Sequence, residues 1–199
     1  MKTILAITIS ALSCWLTAGI LAETTTKQSR IQNYEAPGNL ESRYELGCIQ
    51  ADELKRKYTP TDLYRAMSKC IAREKYTEGV VLFAVAGVYG RFDAYRVVDK
   101  TAHQAVTVAR IQAVRNINKE KLVKFQNNLK ATLGDPAGLA SVCKKIEGIG
   151  APDYYPRYMI QHGMNAFLKG GGGKELDEAF NAKTAWKKSL DTYLHCPDA

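Results

Sequence analysis

The apolar positions of the first well-patterned segment repeat at steps of three and four residues. Leu63, Met67 and Ile71 share one face of a helix at this spacing, with polar residues between them. Residues 59–62 (Thr-Pro-Thr-Asp) combine a hydroxyl suited to a helix cap, a proline suited to the first turn and an acidic residue. We therefore predict a helix that begins at Pro60 and buries this apolar face.

The next segment is apolar on all sides. Residues 76–92 mix large side chains with alanine and glycine, which predicts a central buried helix. Residues 90–93 (Gly-Arg-Phe-Asp) interrupt the run and predict a break between helices. Strand signals are scarce, so the sequence predicts an all-α fold: a compact helical bundle or stacked α-hairpins with two disulfides. The remaining predicted helices cover residues 102–114, 119–133, 142–146, 156–168 and 175–193.

The amino terminus has the three parts of a secretory signal peptide. Lys2 supplies a basic start, residues 4–21 are apolar or small, and Ala22 precedes a polar segment. We predict cleavage after Ala22, so that residues 1–22 are removed. A membrane anchor is one alternative, because the run approaches the roughly 20 residues that span a bilayer. A lipoprotein acylated at Cys14 is another, although the preceding leucine stands one position too late.

The mature chain divides into two parts by composition. Residues 23–43 are polar and contain a Pro-Gly-Asn turn signal, which predicts a flexible leader. Residues 44–199 carry the helical patterns and predict a single helical domain. Their number is large enough to bury a hydrophobic core without a partner.

Four cysteines remain after the signal peptide is removed. An even number in an exported chain indicates two disulfides, and three pairings are compatible with the sequence. We favour Cys48 with Cys70 and Cys143 with Cys196, because each pair ties neighbouring segments of one half of the chain. A zinc site is the rival interpretation, but no metal-type spacing of these cysteines is present.

The positive charge is modest and dispersed. Loss of Lys2 with the signal peptide lowers the formal net charge from +8 to +7. The basic clusters at residues 55–57 and 119–124 fit solvated helix faces. Binding of nucleic acid requires basic residues interleaved with aromatic ones, so we predict no nucleic-acid partner. An acidic partner stays compatible with this charge, as does an anionic lipid surface, although a membrane surface is not predicted.

No catalytic arrangement is recognisable in the sequence. It contains neither Gly-x-Ser-x-Gly nor His-Glu-x-x-His, and its three histidines show no zinc-type spacing. Disulfide formation would leave no thiol nucleophile. The glutamate pairs at 74 and 78 and at 175 and 178 are better explained by surface ion pairs. The four glycines at 170–173 favour a flexible turn over a phosphate site. We expect no enzyme activity, no metal and no cofactor.

One stretch, residues 89–104, concentrates aromatic, arginine and acidic side chains around the predicted helix break. Asp93 and Arg96 could pair at a spacing of three residues, and Asp99 and His103 at a spacing of four. These side chains either fix a corner between helices or form a binding surface. For the second case, tyrosine and arginine are the residues favoured at the centres of protein interfaces. The candidate partner-binding residues here are Tyr89, Arg91, Asp93, Tyr95 and Arg96.

A second candidate surface follows Pro152. Residues 153–158 (Asp-Tyr-Tyr-Pro-Arg-Tyr) place tyrosines and an arginine on a predicted loop. Tyr155 and Tyr158 could equally form a hydrophobic staple at a helix start. Tyr154 and Arg157 are therefore secondary candidates for partner binding.

Several motifs resemble those of a known group of exported helical proteins of Gram-negative bacteria. They are residues 58–64 (Tyr-Thr-Pro-Thr-Asp-Leu-Tyr), 70–71 (Cys-Ile), 75–76 (Lys-Tyr), 82–93 (Leu-Phe-Ala-Val-Ala-Gly-Val-Tyr-Gly-Arg-Phe-Asp) and 101–105 (Thr-Ala-His-Gln-Ala). The group is associated with type VI secretion clusters, in which a periplasmic immunity protein neutralises a toxic lipase or phospholipase effector. The resemblance covers about residues 45–115.

The resemblance implies a periplasmic inhibitor that seats itself over the active-site cleft of a cognate secreted toxin. Export, disulfides and the lack of a catalytic constellation agree with this interpretation. Two alternatives are retained. A helical-repeat scaffold for envelope proteins would need self-similarity at a period of roughly 34 to 36 residues, and no convincing second copy is visible. An envelope hydrolase would have to use carboxylates in an unrecognised arrangement.

Overall fold

The computed structural model of the protein describes residues 35–168 and 173–197. The predicted signal peptide, Cys14 and most of the predicted glycine turn lie outside these residues. In the described part of the chain, no helix is both long and apolar enough to cross a membrane.

The described chain is helical, which confirms the predicted all-α fold. Outside the helices, Val97 and Leu176 form an isolated antiparallel bridge. Short 3-10 turns lie at Ala51–Glu53, Lys100–Gln104 and Met164–Phe167, and a π-helical turn lies at Leu190–Leu194. The α-helices are α1 (Pro60–Ala72), α2 (Tyr76–Arg96), α3 (Ala105–Val114), α4 (Lys119–Gly134), α5 (Pro136–Ile149), α6 (Arg157–Ile160) and α7 (Ala182–Ser189).

Helix α1 begins where the sequence predicts. The Thr59 side chain accepts a hydrogen bond from the Asp62 amide, and the Asp62 carboxylate accepts one from the Thr59 amide. This capping box satisfies backbone groups that a helix start leaves without partners. The apolar face carrying Leu63, Met67 and Ile71 is fully buried, as predicted.

Helix α2 is the centre of the molecule and is continuous. The predicted break at residues 90–93 is wrong, because α2 runs to Arg96. Gly87 and Gly90 instead allow side chains from other segments to pack closely against α2. Gly87 lies under the ring of Tyr193, and Gly90 lies against the Val106 side chain of α3, so neither site has room for a Cβ. A glycine in a helix signals close approach as readily as a break.

The other long helices pack around α2. Tyr64 of α1 meets Phe83 of α2 edge to face, and Phe83 meets Phe125 of α4 in the same way, with both centroid distances 6.3 Å. Phe125 also lies against Gly79 of α2. These contacts fasten α1, α2 and α4 into one core, since aromatic pairs at this distance are attractive beyond the area they bury.

The carboxyl-terminal helices differ from the prediction. The helix predicted at 142–146 is part of the longer α5, which Asp135 caps. Only Arg157–Ile160 is α-helical within the predicted helix 156–168. The predicted helix 175–193 starts only at Ala182, because residues 175–177 lie extended beside the end of α2, where the Asp177 amide donates to the Arg96 carbonyl.

Both favoured disulfides are present. Cys48 is bonded to Cys70 in α1, and Cys143 in α5 is bonded to Cys196 near the carboxyl terminus. The first fastens the segment before α1, and the second fastens the π-helical turn to α5. Each cross-link limits the freedom of the unfolded chain and so stabilises the fold by about 2–4 kcal/mol.

The described end of the predicted leader is held in place. The Asp62 carboxylate is buried and accepts hydrogen bonds from the Ser42 hydroxyl (2.7 Å) and from the amides of Arg43 (2.7 Å) and Tyr44 (2.9 Å). The Leu40 amide donates to the Tyr158 carbonyl. Residues 35–43 are therefore part of the packed domain, because a buried carboxylate needs donors and this segment supplies them.

We expect Gly87→Ala to destabilise the fold by about 1–3 kcal/mol, because the added methyl group would overlap the ring of Tyr193. The free energy of unfolding, measured by urea titration of the oxidised protein, checks this value.

Gly148→Ala in α5 is the matched control. No neighbouring atom would contact its Cβ, so this change should raise the free energy of unfolding by about 0.5–1 kcal/mol through helix propensity. Equal effects of the two substitutions would show that Gly87 is not a packing site.

Candidate functional site

Asp93 is a buried anchor of the core. Its Oδ1 accepts two hydrogen bonds from the Arg96 guanidinium, at 2.9 and 2.6 Å. Its Oδ2 accepts one from the hydroxyl of Tyr154 (2.9 Å) and one from that of Tyr158 (2.8 Å). The predicted pairing of Asp93 with Arg96 is confirmed, but it lies inside the protein.

Tyr89 is also buried. Its hydroxyl donates to the Gly150 carbonyl at 3.0 Å, and its ring packs against those of Tyr154 and Trp186. Tyr89, Asp93 and Tyr154 are therefore not available as surface anchors, which corrects the prediction for these three residues. The cause is the continuity of α2, since positions 89, 93 and 96 share one face of an unbroken helix and that face points inward.

The buried cluster around Asp93 holds neighbouring segments of the fold together. Burial raises the pKa of the Asp93 carboxyl, and the Arg96 charge and the two phenolic hydroxyls oppose the shift. Burial, together with the charge of Asp93, raises the pKa of Tyr154 and of Tyr158. Both tyrosines thus stay protonated and act as donors to the carboxylate. The arrangement corresponds to the corner between elements that the sequence left as an alternative.

The remaining predicted residues reach the surface at different places. Arg91 is exposed on α2, and Tyr95 is half-buried one turn further along. Arg96 is half-buried and covers the rings of Phe92 and Tyr154. Arg157 is exposed and donates to the carbonyl of Pro37 at 3.4 Å.

Asp99 and His103 do not pair. Asp99 caps the 3-10 turn by accepting from the amide (2.9 Å) and hydroxyl (2.6 Å) of Thr101. Nε2 of His103 donates instead to the Val97 carbonyl at 2.9 Å. Both side chains fix the chain where it leaves α2.

An exposed group of large apolar side chains lies near these residues and is not among the predicted site residues. We call it the apolar patch. Met164 is 64% exposed and Leu168 57% exposed, whereas large apolar side chains in a folded protein are usually covered. The patch consists of Val98, Tyr155, Met164, Phe167 and Leu168.

A groove of about 450 Å³ runs between the segments that carry the patch. Val97 and Leu168 line it on the apolar side, and Asp99, Asn165 and Glu175 add polar atoms. The Tyr155 hydroxyl donates to the Glu175 carboxylate, and the Val98 amide donates to the Glu175 carbonyl. These bonds connect Val98 and Tyr155 to Glu175, which lines the groove together with Leu168.

The turn that carries Met164 and Phe167 is held by hydrogen bonds rather than left loose. The Met164 amide donates to the Thr101 hydroxyl at 2.8 Å, and the Asn165 amide donates to the Asp99 carboxylate at 2.9 Å. An exposed apolar surface held in one conformation loses little entropy when a partner covers it. The hydrogen bonds therefore fix the position of these apolar side chains on the surface.

The sequence could not identify this turn because its spacing imitates a helix. Met164, Phe167 and Leu168 follow one another at steps of three and one, the spacing of a buried helical face, and were assigned to the predicted helix 156–168. Gly163 was the available signal, because a glycine can mark a close approach: a Cβ at this position would overlap the Asp99 carboxylate and the Ala102 methyl group. The α-helix ends before this glycine, at Ile160.

The acidic residues considered for catalysis make ordinary contacts. Glu74 pairs with Lys121 (3.2 Å), and Glu178 pairs with Lys174 (2.6 Å). Over residues 35–168 and 173–197, no group of three histidine, cysteine, aspartate or glutamate side chains is placed to hold a metal ion.

We expect Arg96→Ala to lower the free energy of unfolding by about 3–5 kcal/mol, because it leaves the buried Asp93 carboxylate without its counter-charge. Arg91→Ala is the matched control: this side chain is exposed, so the change should stay within about 0.5 kcal/mol of wild type. Thermal and urea denaturation measure both, and similar values for the two variants would contradict the assignment.

We expect Asp99→Asn to loosen the patch-bearing turn. Burial raises the pKa of Asp99, but the hydrogen bonds from Thr101 and Asn165 outweigh it and hold that pKa below 3.8. The carboxylate therefore stabilises the turn above pH 3.8, and this contribution is lost as the pH falls through the folded-state pKa. Amide hydrogen exchange at Met164 and Asn165 should be faster in the variant, and unchanged exchange would show that other contacts hold the turn.

Comparison with known proteins does not extend this description. No protein-family model, no curated protein and no solved structure matches the chain. The function is therefore inferred from the chain's own surfaces and from the expectations that its sequence supports.

Proposed function

We propose that this protein is an exported immunity protein that binds a toxic effector of a type VI secretion system and blocks its active site. The effector is a lipase or phospholipase, and the immunity protein acts by binding alone, without catalysis of its own. The observation that carries the proposal is the apolar patch, a set of large exposed side chains held rigidly beside an open groove.

The disulfides support the location that this function requires. Cys48–Cys70 and Cys143–Cys196 are the kind of cross-link that persists in oxidising compartments such as the bacterial periplasm. The amino-terminal sequence predicts export to the same compartment. A protein that protects its own cell from an effector delivered to the envelope has to be present there.

The chemistry of the patch supports a lipolytic partner. A cleft that accepts acyl chains is lined by apolar side chains, and its natural complement is an apolar surface. Phe167 and Met164 project from a fixed turn, so their burial in such a cleft would gain binding energy at little cost in entropy. Tyr155 adds a large area with a polar end, a combination favoured in interface centres.

The first experiment is a pull-down with the mature, oxidised protein against secreted and envelope fractions of the source bacterium, with mass spectrometry of the bound proteins. Recovery of one secreted lipase whose activity is lost on binding supports the proposal. Recovery of many envelope proteins points to a scaffold. Hydrolysis of lipid or peptidoglycan extracts by the purified protein itself points to an envelope enzyme, and either of these outcomes contradicts inhibition by binding.

We expect Phe167→Asp to weaken binding of the recovered effector by at least about thirtyfold, the loss typical of an interface anchor. A charge introduced at the centre of an apolar contact would be desolvated on binding. Calorimetric titration with the purified effector gives the dissociation constant.

Val123→Asp is the control for this experiment. Val123 is 45% exposed on α4, close to the 47% of Phe167, and receives the same charge. Its affinity for the effector should be unchanged. An equal loss in both variants would mean that added negative charge, and not the patch, governs the affinity.

A further inference from the structure

A second surface of different chemistry lies on the outward side of α2. Tyr193, in the π-helical turn Leu190–Leu194, packs over Gly87 of α2. A π-helical turn is rare and is often found at functional sites.

Two arginines lie near this ring. Arg91 lies one turn beyond Gly87 on the same face of α2. Val106 of α3 contacts Gly90 of α2, and Arg110 lies one turn beyond Val106 on the same face of α3. Burial raises the pKa of Tyr193, and the positive charges of Arg110 and Arg91 oppose that shift. Arg91 is exposed, and Arg110 is half-buried.

A third cation extends the same surface. Lys188 of α7 lies over the ring of Tyr95, with its Nζ 4.8 Å from the ring centroid. The hydroxyl groups of Tyr95 and Thr192 are hydrogen-bonded at 3.1 Å, which joins α2 to the π-helical turn. We call this surface the basic face. It consists of Arg91, Tyr95, Arg110, Lys188 and Tyr193.

The cations of the basic face are not neutralised by acids of the described chain. Four lysines at other places in the described chain pair with carboxylates, among them Lys69 with Glu45. Within residues 35–168 and 173–197, Arg91, Arg110 and Lys188 form no ion pair, and neither does Asp191, the acid nearest to Lys188 in sequence. The face therefore presents uncompensated positive charge beside two tyrosines.

We propose that the basic face docks an acidic segment of a protein partner. Charge complementarity requires a partner surface of negative charge, and it steers the approach of the two molecules. Arginine and tyrosine together are the residues that anchor protein interfaces. This inference goes beyond the proposed function, because it concerns a different surface and holds for any acidic protein partner.

A membrane is the less suitable occupant. Proteins that lie on anionic bilayers combine basic residues with several apolar side chains that insert between the lipids. Next to the basic face in sequence, Ile111 is the large apolar side chain that is exposed. Among the other exposed large apolar side chains of the described residues, Val123 lies on α4 and the rest belong to the apolar patch.

The test uses poly-L-glutamate as the probe and the mature, oxidised protein, with phosphatidylglycerol vesicles as the competing probe. The double variant Arg91→Glu with Lys188→Glu should bind poly-L-glutamate about tenfold more weakly than wild type, and the wild-type affinity should fall steeply with salt. Both side chains are exposed, and circular dichroism verifies that the variant is folded.

The matched control is Lys119→Glu with Lys130→Glu, which makes the same charge change on exposed positions of α4. The α4 contact at Gly79 lies about 18 Å along α2 from Arg91. The control should bind poly-L-glutamate with nearly wild-type affinity. Equal losses of affinity in the two variants would show that net charge alone governs binding, and would overturn the proposal. Preferential binding to the vesicles, or no binding of poly-L-glutamate, would overturn it as well. Phe167→Asp separates this face from effector binding, because it should leave poly-L-glutamate affinity unchanged.

Discussion

The Asp93 carboxylate is a polar group buried inside an apolar helix bundle, and it needs hydrogen-bond donors there. Residues from the carboxyl-terminal part of the chain supply two of these donors. Two of its four hydrogen bonds come from Arg96, and the other two come from Tyr154 and Tyr158. Helix α6 has only four residues, too few to persist by helix propensity alone. Its position is set by the tyrosine hydroxyls that reach Asp93. The turn that bears the apolar patch follows α6 directly, so its place on the surface depends on this buried cluster.

Local signals predicted the parts of the fold that local chemistry controls. The capping residues around Pro60 mark the start of α1, and the cysteine positions indicate the correct pairing. Gly87 and Gly90 misled the prediction because their purpose is tertiary: each makes room for a side chain from a distant segment. The apolar residues at 164–168 were assigned to a buried helix because a period alone cannot distinguish a covered face from an exposed turn.

The candidate site was predictable only in its residue types. The sequence shows that tyrosine and arginine are concentrated around residues 89–96. In the structure, helix periodicity divides these side chains between the core and the solvent. Tyr89, Asp93 and Arg96 turn toward the core, whereas Arg91 turns toward solvent. The two surfaces that result depend on different forces. Burial of an apolar patch mainly prolongs the lifetime of a complex, whereas an uncompensated basic face mainly accelerates its formation.

The positions of the disulfides also determine how the protein carries a mechanical load. A force applied to the two ends of the chain is transmitted through the disulfides, from Cys48 to Cys70 and from Cys143 to Cys196. The chain enclosed by each cross-link is bypassed, and between the two cross-links the tension acts on residues 70–143. The segment with Tyr155, Met164 and Phe167 lies inside the second enclosed loop, so it cannot be drawn out lengthwise while that disulfide is intact.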